Sequence, residues 1–212
     1  MKKLRSLIVL MLCLVLIVPS MNVSAATQKQ KALKAYKQFL STSKVNVLLR
    51  GEGYYDIKND RYVEYKGTKS ANVKFALAYI NNDSIPELIV TANLGGRQYS
   101  GFFTYRSGKV RRITVMANES DKLIGYYKKT GVFIQRDYSD GVLGGWKYMS
   151  MDKKRAIIMG SKGNDGSYYV IYEKMMTKKG FNARIKKETK NRSLSKFIFY
   201  KNTKTNRSKK IK

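Results

Sequence analysis

The chain has 212 residues, of which 43 are Lys or Arg, 14 are Asp or Glu, one is Cys and none is His. The formal net charge is +29, and a hydrophobic content of 43% is enough for a folded core, which excludes an entirely disordered chain. The lack of His excludes Ser–His–Asp and Cys–His nucleophiles and His-ligated zinc.

The first 25 residues are predicted to be a secretory signal peptide. Residues 1–5 are basic, an apolar run covers 7–18, and Val23–Ala25 provides the predicted cleavage site. The apolar run is shorter than the roughly 20 residues of a membrane-spanning helix, although an uncleaved membrane anchor is the alternative. Cys13 lies inside the apolar run, so the mature chain is predicted to lack disulfides. This cysteine usage favours export from a Gram-positive cell.

The positive charge is concentrated at the two ends of the mature chain. Residues 26–50 contain six basic and no acidic residues, and residues 174–212 contain 15 basic and one acidic residue. The middle, 51–173, contains 19 basic and 13 acidic residues, which is an ordinary balance for a folded domain. We therefore predict four parts: a signal peptide (1–25), a basic N-terminal helix (26–44), a β-rich core domain (45–173) and a basic C-terminal extension (174–212). We expect the core domain to fold without the C-terminal extension.

The predicted fold class is α+β, with an N-terminal helix packed on an antiparallel β-meander and followed by the basic extension. Leu33, Tyr36 and Leu40 recur at helical spacing within a helix predicted over 26–42. From about residue 45, short runs of Tyr, Phe, Val and Ile alternate with polar turns, which favours strands that pair with their sequence neighbours. The extension is predicted to contain a helix over 178–190 and a strand over 194–200, and residues 202–212 are expected to fray.

The segment between two predicted strands at 81–88 is a candidate calcium loop. Its possible ligands are Asn81, Asp83 and Glu87, because calcium prefers carboxylate and amide oxygens. The alternative is a tight turn in which the Asn and Asp side chains cap the backbone. No other cofactor is predicted.

The basic extension is a candidate binding surface for polymeric anions, because Lys and Arg that neutralise a polyanion release its counterions. The predicted partners are anionic cell-wall or glycan polymers, such as teichoic acid or an acidic glycan. Peripheral contact with an anionic membrane surface is a second possibility, and nucleic acid suits an exported protein less well. The alternative is a solubilising tail. The candidate residues are Lys186, Lys187, Lys190, Arg192, Lys196, Lys201 and Arg207.

Aromatic side chains provide a second candidate contact. Trp146 follows two glycines and, with Tyr148, is a candidate exposed platform for stacking on sugars. Packing against aromatic side chains of neighbouring strands is the alternative.

No residue is predicted to be catalytic. A glycosidase needs two carboxylates across a cleft, and the nearest pairs in sequence are Asp137 with Asp140 and Asp83 with Glu87. We expect a secreted or wall-associated, non-catalytic binding protein. The alternatives are a carbohydrate-active enzyme or its accessory module, and a cationic membrane-active protein.

Several segments together resemble a group of small secreted proteins of clostridial-type Gram-positive bacteria. The most specific of them is Ile85–Leu88, and the relatives often carry Asp and Gly where this chain has Asn81 and Ser84. The resemblance implies export and a domain of one helix plus β-strands, and it implies no catalytic residues. The segments are 32–40, 75–88, 105–110, 126–133 and 200–207.

Overall fold

The computed structural model describes residues 27–48, 52–118, 122–137 and 145–212, so the predicted signal peptide lies outside the described residues. Three α-helices occur in the described chain: α1 (27–41), α2 (Lys178–Glu188) and α3 (Lys204–Lys210). None of them is long and apolar enough to span a membrane.

The strands of the described chain form two large sheets and two small ribbons. The ribbons pair β1 (Lys44–Val45) with β4 (Thr68–Lys69) and β2 (Gly53–Asp56) with β3 (Arg61–Glu64). The strands of the large sheets are β5 (Val73–Ala78), β6 (Glu87–Leu94), β7 (Arg97–Arg106), β8 (Lys109–Asn118), β9 (Lys122–Tyr127), β10 (Val132–Asp137), β11 (Gly145–Met151), β12 (Ala156–Gly163), β13 (Tyr169–Ile171), β14 (Lys174–Met175), β15 (Leu194–Ser195) and β16 (Tyr200–Lys201).

Both large sheets are antiparallel meanders with one C-terminal strand added at an edge. The five-stranded sheet has the order β16-β5-β6-β7-β8, and the seven-stranded sheet has the order β14-β13-β12-β11-β10-β9-β15. The predicted α+β class with a helix and an antiparallel meander is therefore confirmed. The division of the meander into two sheets is a finding of the structure.

The two sheets pack face to face between helices, which gives four layers. Alternate residues of each strand point to opposite faces, so each sheet supplies side chains to two separate cores. The core between the sheets contains Ala76, Ile89 and Phe102 from one sheet and Phe133 and Met149 from the other. The two outer cores lie between α1 and the five-stranded sheet and between α2 and the seven-stranded sheet.

Helices α1 and α2 follow the predicted amphipathic patterns. Leu33, Tyr36 and Leu40 are buried against the five-stranded sheet, as the spacing predicts. Helix α2 begins after Thr177, whose side chain accepts a hydrogen bond from the Gly180 backbone N–H, as Ser and Thr often do at helix starts. Its two buried residues, Phe181 and Ile185, pack on the outer face of the seven-stranded sheet.

A crossing segment, residues 194–201, connects the edges of the two sheets. It begins as β15 beside β9 and ends as β16 beside β5. Between them, Phe197 and Phe199 pack into the core between the sheets, where the ring of Phe197 contacts Tyr126 at a centroid distance of 5.1 Å. The segment therefore contributes to both sheets and to the core between them.

The expectation that residues 202–212 fray is wrong. The amide of Asn202 donates to the carbonyl of Leu40 and to both the carbonyl and the hydroxyl of Ser70, at 2.7–3.1 Å. Helix α3 follows, and Ile211 after it is fully buried in the core with α1. One apolar residue and one buried amide thus anchor a basic segment whose composition resembles that of a disordered tail.

The predicted boundary at residue 173 does not separate a self-sufficient domain from an extension. Residues 174–212 supply α2, α3 and three strands, and their apolar side chains belong to all three cores. The expectation that 45–173 folds without them is therefore not supported, because their removal would expose the outer face of the seven-stranded sheet and would take Phe197 and Phe199 from the core between the sheets.

The anchoring of α3 gives a stability prediction. We expect Ile211→Ala to lower the free energy of unfolding by about 2–4 kcal/mol, because it leaves a cavity in the core with α1. Chemical denaturation measures this loss. The control is Lys209→Ala on the exposed side of α3, for which we expect a change within about 0.5 kcal/mol. Equal stability of the two variants would contradict the anchoring role.

Candidate functional site

A groove of about 190 Å³ lies where the crossing segment passes between the two sheet edges. We call it the Lys–Tyr groove. Its lining combines apolar and aromatic side chains with two lysines, and contains no acidic residue: Phe75, Leu77, Tyr126, Lys196, Ile198, Tyr200 and Lys210.

The alternation of the crossing segment builds one wall of the groove. Neighbouring residues of an extended chain point in opposite directions. Phe197 and Phe199 therefore pack against the core between the sheets, while Lys196, Ile198 and Tyr200 line the groove. Ile198 is 63% exposed, and the ring of Tyr200 lies 6.0 Å from the ring of Phe75 on the adjacent strand. The buried phenylalanines therefore hold the outward residues in fixed positions.

Two lysines line the groove, and two more lie over the ring of Tyr79, which is two residues after the groove residue Leu77. Lys196 comes from the crossing segment, and Lys210 comes from α3, with its Nζ 4.7 Å from the centroid of the Tyr200 ring. Lys29 of α1 and Lys128 of the turn between β9 and β10 lie over the ring of Tyr79, at 5.6 and 5.8 Å.

Tyrosine rings make this concentration of positive charge tolerable. An ammonium group over an aromatic face gains about 0.5–1 kcal/mol at an exposed site, which partly offsets repulsion between the lysines. Tyr79 lies beside the groove residue Tyr126, and burial, followed by the neighbouring Tyr79 and Glu87, raises the pKa of Tyr126. The Tyr126 hydroxyl therefore stays protonated at neutral pH and can donate a hydrogen bond to an anion.

The predicted basic residues are only partly brought together. Lys196 lines the groove, whereas Lys201 points to the opposite face of β16, in register with Lys74. Arg192 donates to the Lys128 carbonyl at 2.8 Å, and Arg207 donates to the side chain of Asn202 at 2.9 Å, so both stabilise the fold. The three remaining residues of the predicted basic set are exposed, in or just after the final turn of α2 and outside the groove: Lys186, Lys187 and Lys190.

The predicted aromatic platform does not present free ring faces. Tyr148 is buried beneath α2, with its ring 5.5 Å from Phe181, and burial raises its pKa to about 12. Trp146 is half-buried, and its ring lies between its two cross-strand neighbours, Arg136 at 5.6 Å and Lys162 at 5.5 Å. Within the described chain, neither residue shows the alternative of packing on aromatic side chains of neighbouring strands, because Phe181 belongs to α2 and the neighbours of Trp146 are an arginine and a lysine.

The candidate calcium loop directs its oxygen atoms at hydrogen-bond donors. Glu87 is fully buried; its Oε2 accepts from the backbone N–H groups of Ile80 and Asn81, and its Oε1 accepts from the Asn81 amide at 2.7 Å. Asp83 accepts from the Ile85 N–H at 2.8 Å and pairs with Lys153 at 2.7 Å. This arrangement does not fit a calcium site, because the oxygens that would bind the ion already face N–H groups.

Three further facts agree with the capped turn. Among the described residues, no group of three or more His, Cys, Asp or Glu side chains is placed to hold a metal ion. Tyr36 of α1 donates its hydroxyl to the Pro86 carbonyl, which ties the loop to the helix. The Lys129 N–H and the Gly131 N–H donate to the carbonyls of Tyr79 and Ile80, which joins the loop to the seven-stranded sheet.

Comparison with protein-family models, with curated protein sequences and with solved structures finds no match to the chain. The function is therefore argued from the site itself.

Sequence reasoning missed three of these four lysines. Lys29, Lys128 and Lys210 are distant from one another in sequence, and only the fold places Lys210 in the groove lining and the other two over Tyr79. The alternation Lys-Phe-Ile-Phe-Tyr over 196–200 is the one local signal, because it predicts that Lys196 and Tyr200 share a face.

The buried Glu87 carboxyl predicts a pH-dependent stability. Burial raises its pKa from 4.5 to about 7, although its N–H donors favour the ionised form. The folded state therefore binds this proton more tightly than the unfolded state. The contribution of this proton to the free energy of unfolding is fully present below pH 4.5. It is lost as the pH rises through 7, which lowers the free energy of unfolding by up to about 3 kcal/mol.

The test compares the wild type with Glu87→Gln, whose side-chain oxygen can accept the same backbone hydrogen bonds. We expect the fall in unfolding free energy between pH 4.5 and 7.5 to be absent in Glu87→Gln. Denaturant titrations at several pH values measure it. The exposed Glu64→Gln controls for the change in net charge, and identical pH profiles for wild type and Glu87→Gln would refute the assignment.

Proposed function

We propose that this protein is an exported, wall-associated, non-catalytic binding protein that recognises an anionic polymer through the Lys–Tyr groove. The observation that carries the proposal is a groove lined by two lysines and, among the described residues, by no acidic side chain, with two further lysines over Tyr79, two residues after the groove residue Leu77. Like charges placed together repel one another, and a polyanion relieves this repulsion while it releases its own counterions.

Teichoic acids and acidic glycans are the polymers that suit this site. Their repeating units combine a phosphate or carboxylate with hydroxyl and C–H groups. The lysines provide charge, and the exposed side chain of Ile198 and the half-buried ring of Tyr200 provide apolar contact for the C–H groups.

The enzyme alternative has less support. A glycosidase requires two carboxylates that face the same bound sugar. Two larger recesses lie among the described residues: the lining of one includes Asn72 and Gln98, and the lining of the other includes Tyr54 and Leu94. Neither recess has two carboxylates in its lining, and the Lys–Tyr groove has none among the described residues. In the candidate carboxylate pair Asp83 and Glu87, Glu87 is buried and Asp83 forms an ion pair with Lys153.

The proposal predicts salt-sensitive retention on a purified teichoic acid. We expect the double variant Lys196→Gln/Lys210→Gln to bind more weakly, and the slope of log affinity against log salt to fall by roughly 1.4, as for two charges on a single-stranded polyanion. Binding is measured at two or more salt concentrations, with neutral dextran as the uncharged polymer.

The matched control is Lys186→Gln/Lys187→Gln, which removes the same charge from the end of α2, outside the groove. We expect it to retain most of the affinity. An equal loss in the two double variants would show that only bulk charge matters and would overturn the assignment of the groove.

A further inference from the structure

The five-stranded sheet changes character along the face that points toward the other sheet. In one row across β5, β6 and β7, the side chains of Ala76, Ile89 and Phe102 are apolar and fully buried. In the next row, two residues along each strand on the same face, the side chains are Lys74, Thr91 and Ser100. The core between the sheets therefore ends abruptly in polar side chains.

A recess of about 350 Å³ lies on this polar end of the sheet. Thr91 is only 4% exposed and forms part of its floor, and Asn93 lies directly across from Gln98 on the neighbouring strand. Asn72, just before β5, and Lys74 complete the polar lining, which contains no carboxylate. Its size falls within the range of roughly 300–1,000 Å³ that is usual for small-molecule sites.

The polar groups of the recess match a hydroxyl-rich ligand. A carboxamide presents both a donor and an acceptor, and a sugar or polyol presents neighbouring hydroxyl groups that do the same. Three carboxamides and one threonine hydroxyl lie together on one surface, supplied by Asn72, Asn93, Gln98 and Thr91.

One lysine in the lining of the recess and a second lysine directly opposite it indicate that the ligand carries negative charge. Lys201 of β16 lies directly opposite Lys74, and like charges in this position destabilise a strand pair. Within the part of the chain that the structure describes, neither lysine forms an ion pair. An anionic group held between them would replace this repulsion by attraction.

We propose that the recess binds one sugar or polyol unit that bears a phosphate or a carboxylate. Lys74 and Lys201 hold the anionic group, and the carboxamides and Thr91 bind the hydroxyls. This inference rests on the proposed function, because it names the repeating unit of the polymer. Tyr200 and Lys201 are neighbours that point to opposite faces of an edge strand, so a polymer passing over that strand contacts both sites.

The first test measures monomer binding to the purified protein by calorimetry. The probes are glucose 6-phosphate, glucuronate, glucose and inorganic phosphate. We expect at least one of the two anionic sugars to bind about 10-fold or more tightly than both glucose and inorganic phosphate. Whichever of glucose 6-phosphate and glucuronate binds more tightly identifies the anionic group as a phosphate or a carboxylate. If inorganic phosphate binds as tightly as the anionic sugars, the hydroxyl-binding role is overturned; if glucose does, the role of the lysines is overturned.

The second test uses Asn93→Ala/Gln98→Ala, two exposed residues whose loss leaves the fold intact. We expect about 10-fold weaker binding of the preferred anionic sugar, and unchanged binding of inorganic phosphate. Lys74→Gln should weaken both, whereas Lys69→Gln, at another exposed lysine that faces a lysine across a strand pair, should weaken neither.

These variants separate the two proposals. If Asn93→Ala/Gln98→Ala binds the anionic sugar like the wild type while Lys196→Gln/Lys210→Gln still loses the polymer, the recess proposal is wrong and the proposed function stands. If neither double variant changes binding, both are wrong.

Discussion

The insertion of Phe197 and Phe199 between the two sheets determines the arrangement of most of this molecule. The backbone on either side of these rings must then lie along one edge of each sheet, where it forms β15 and β16. Lys196 and Tyr200 consequently face outward from fixed positions, and the chain that follows β16 leads directly to α3. The packing of these two rings thus fixes one wall of the Lys–Tyr groove and places Lys201 opposite Lys74 at the recess.

The distribution of charge follows from the same arrangement. The end of the chain that carries the largest share of the excess positive charge is also the end that completes both sheets, so its lysines cannot move away from one another as they would in a disordered tail. The aromatic face of Tyr200 stabilises one of them, Lys210. The cost of holding the others together is what makes an anionic ligand favourable.

The parts of the fold that depend on local periodicity could be predicted from the sequence. Leu33, Tyr36 and Leu40 indicate α1, Phe181 and Ile185 indicate α2, and the alternation of aromatic runs and turns indicates an antiparallel meander. The packing of two sheets could not be predicted. The two-residue alternation along a strand shows which side chains share a face, but it does not show what covers that face. For that reason Tyr148 was expected on an exposed surface, although α2 covers it.

The binding sites were predictable to a smaller extent. The proposed preference for polyanions follows from composition, and Lys196 belongs to both the predicted set and the groove. The positions of Lys29, Lys128 and Lys210 depend on contacts between distant parts of the chain. The calcium prediction does not fit the observed orientation: the Asp83 and Glu87 oxygens accept hydrogen bonds from N–H groups, and two of those N–H groups belong to Asn81.

The hydrogen bond between Asn202 and Leu40 joins residues that are 162 positions apart, and Ile211 shares a core with the first helix. Contacts of such long range form late, because a long loop must close before they can contribute. During synthesis, or during passage through a translocation channel, the chain therefore lacks its final core contacts until its last residues emerge. For a protein that we propose is exported, these final contacts would form only after the residues that make them have crossed the membrane.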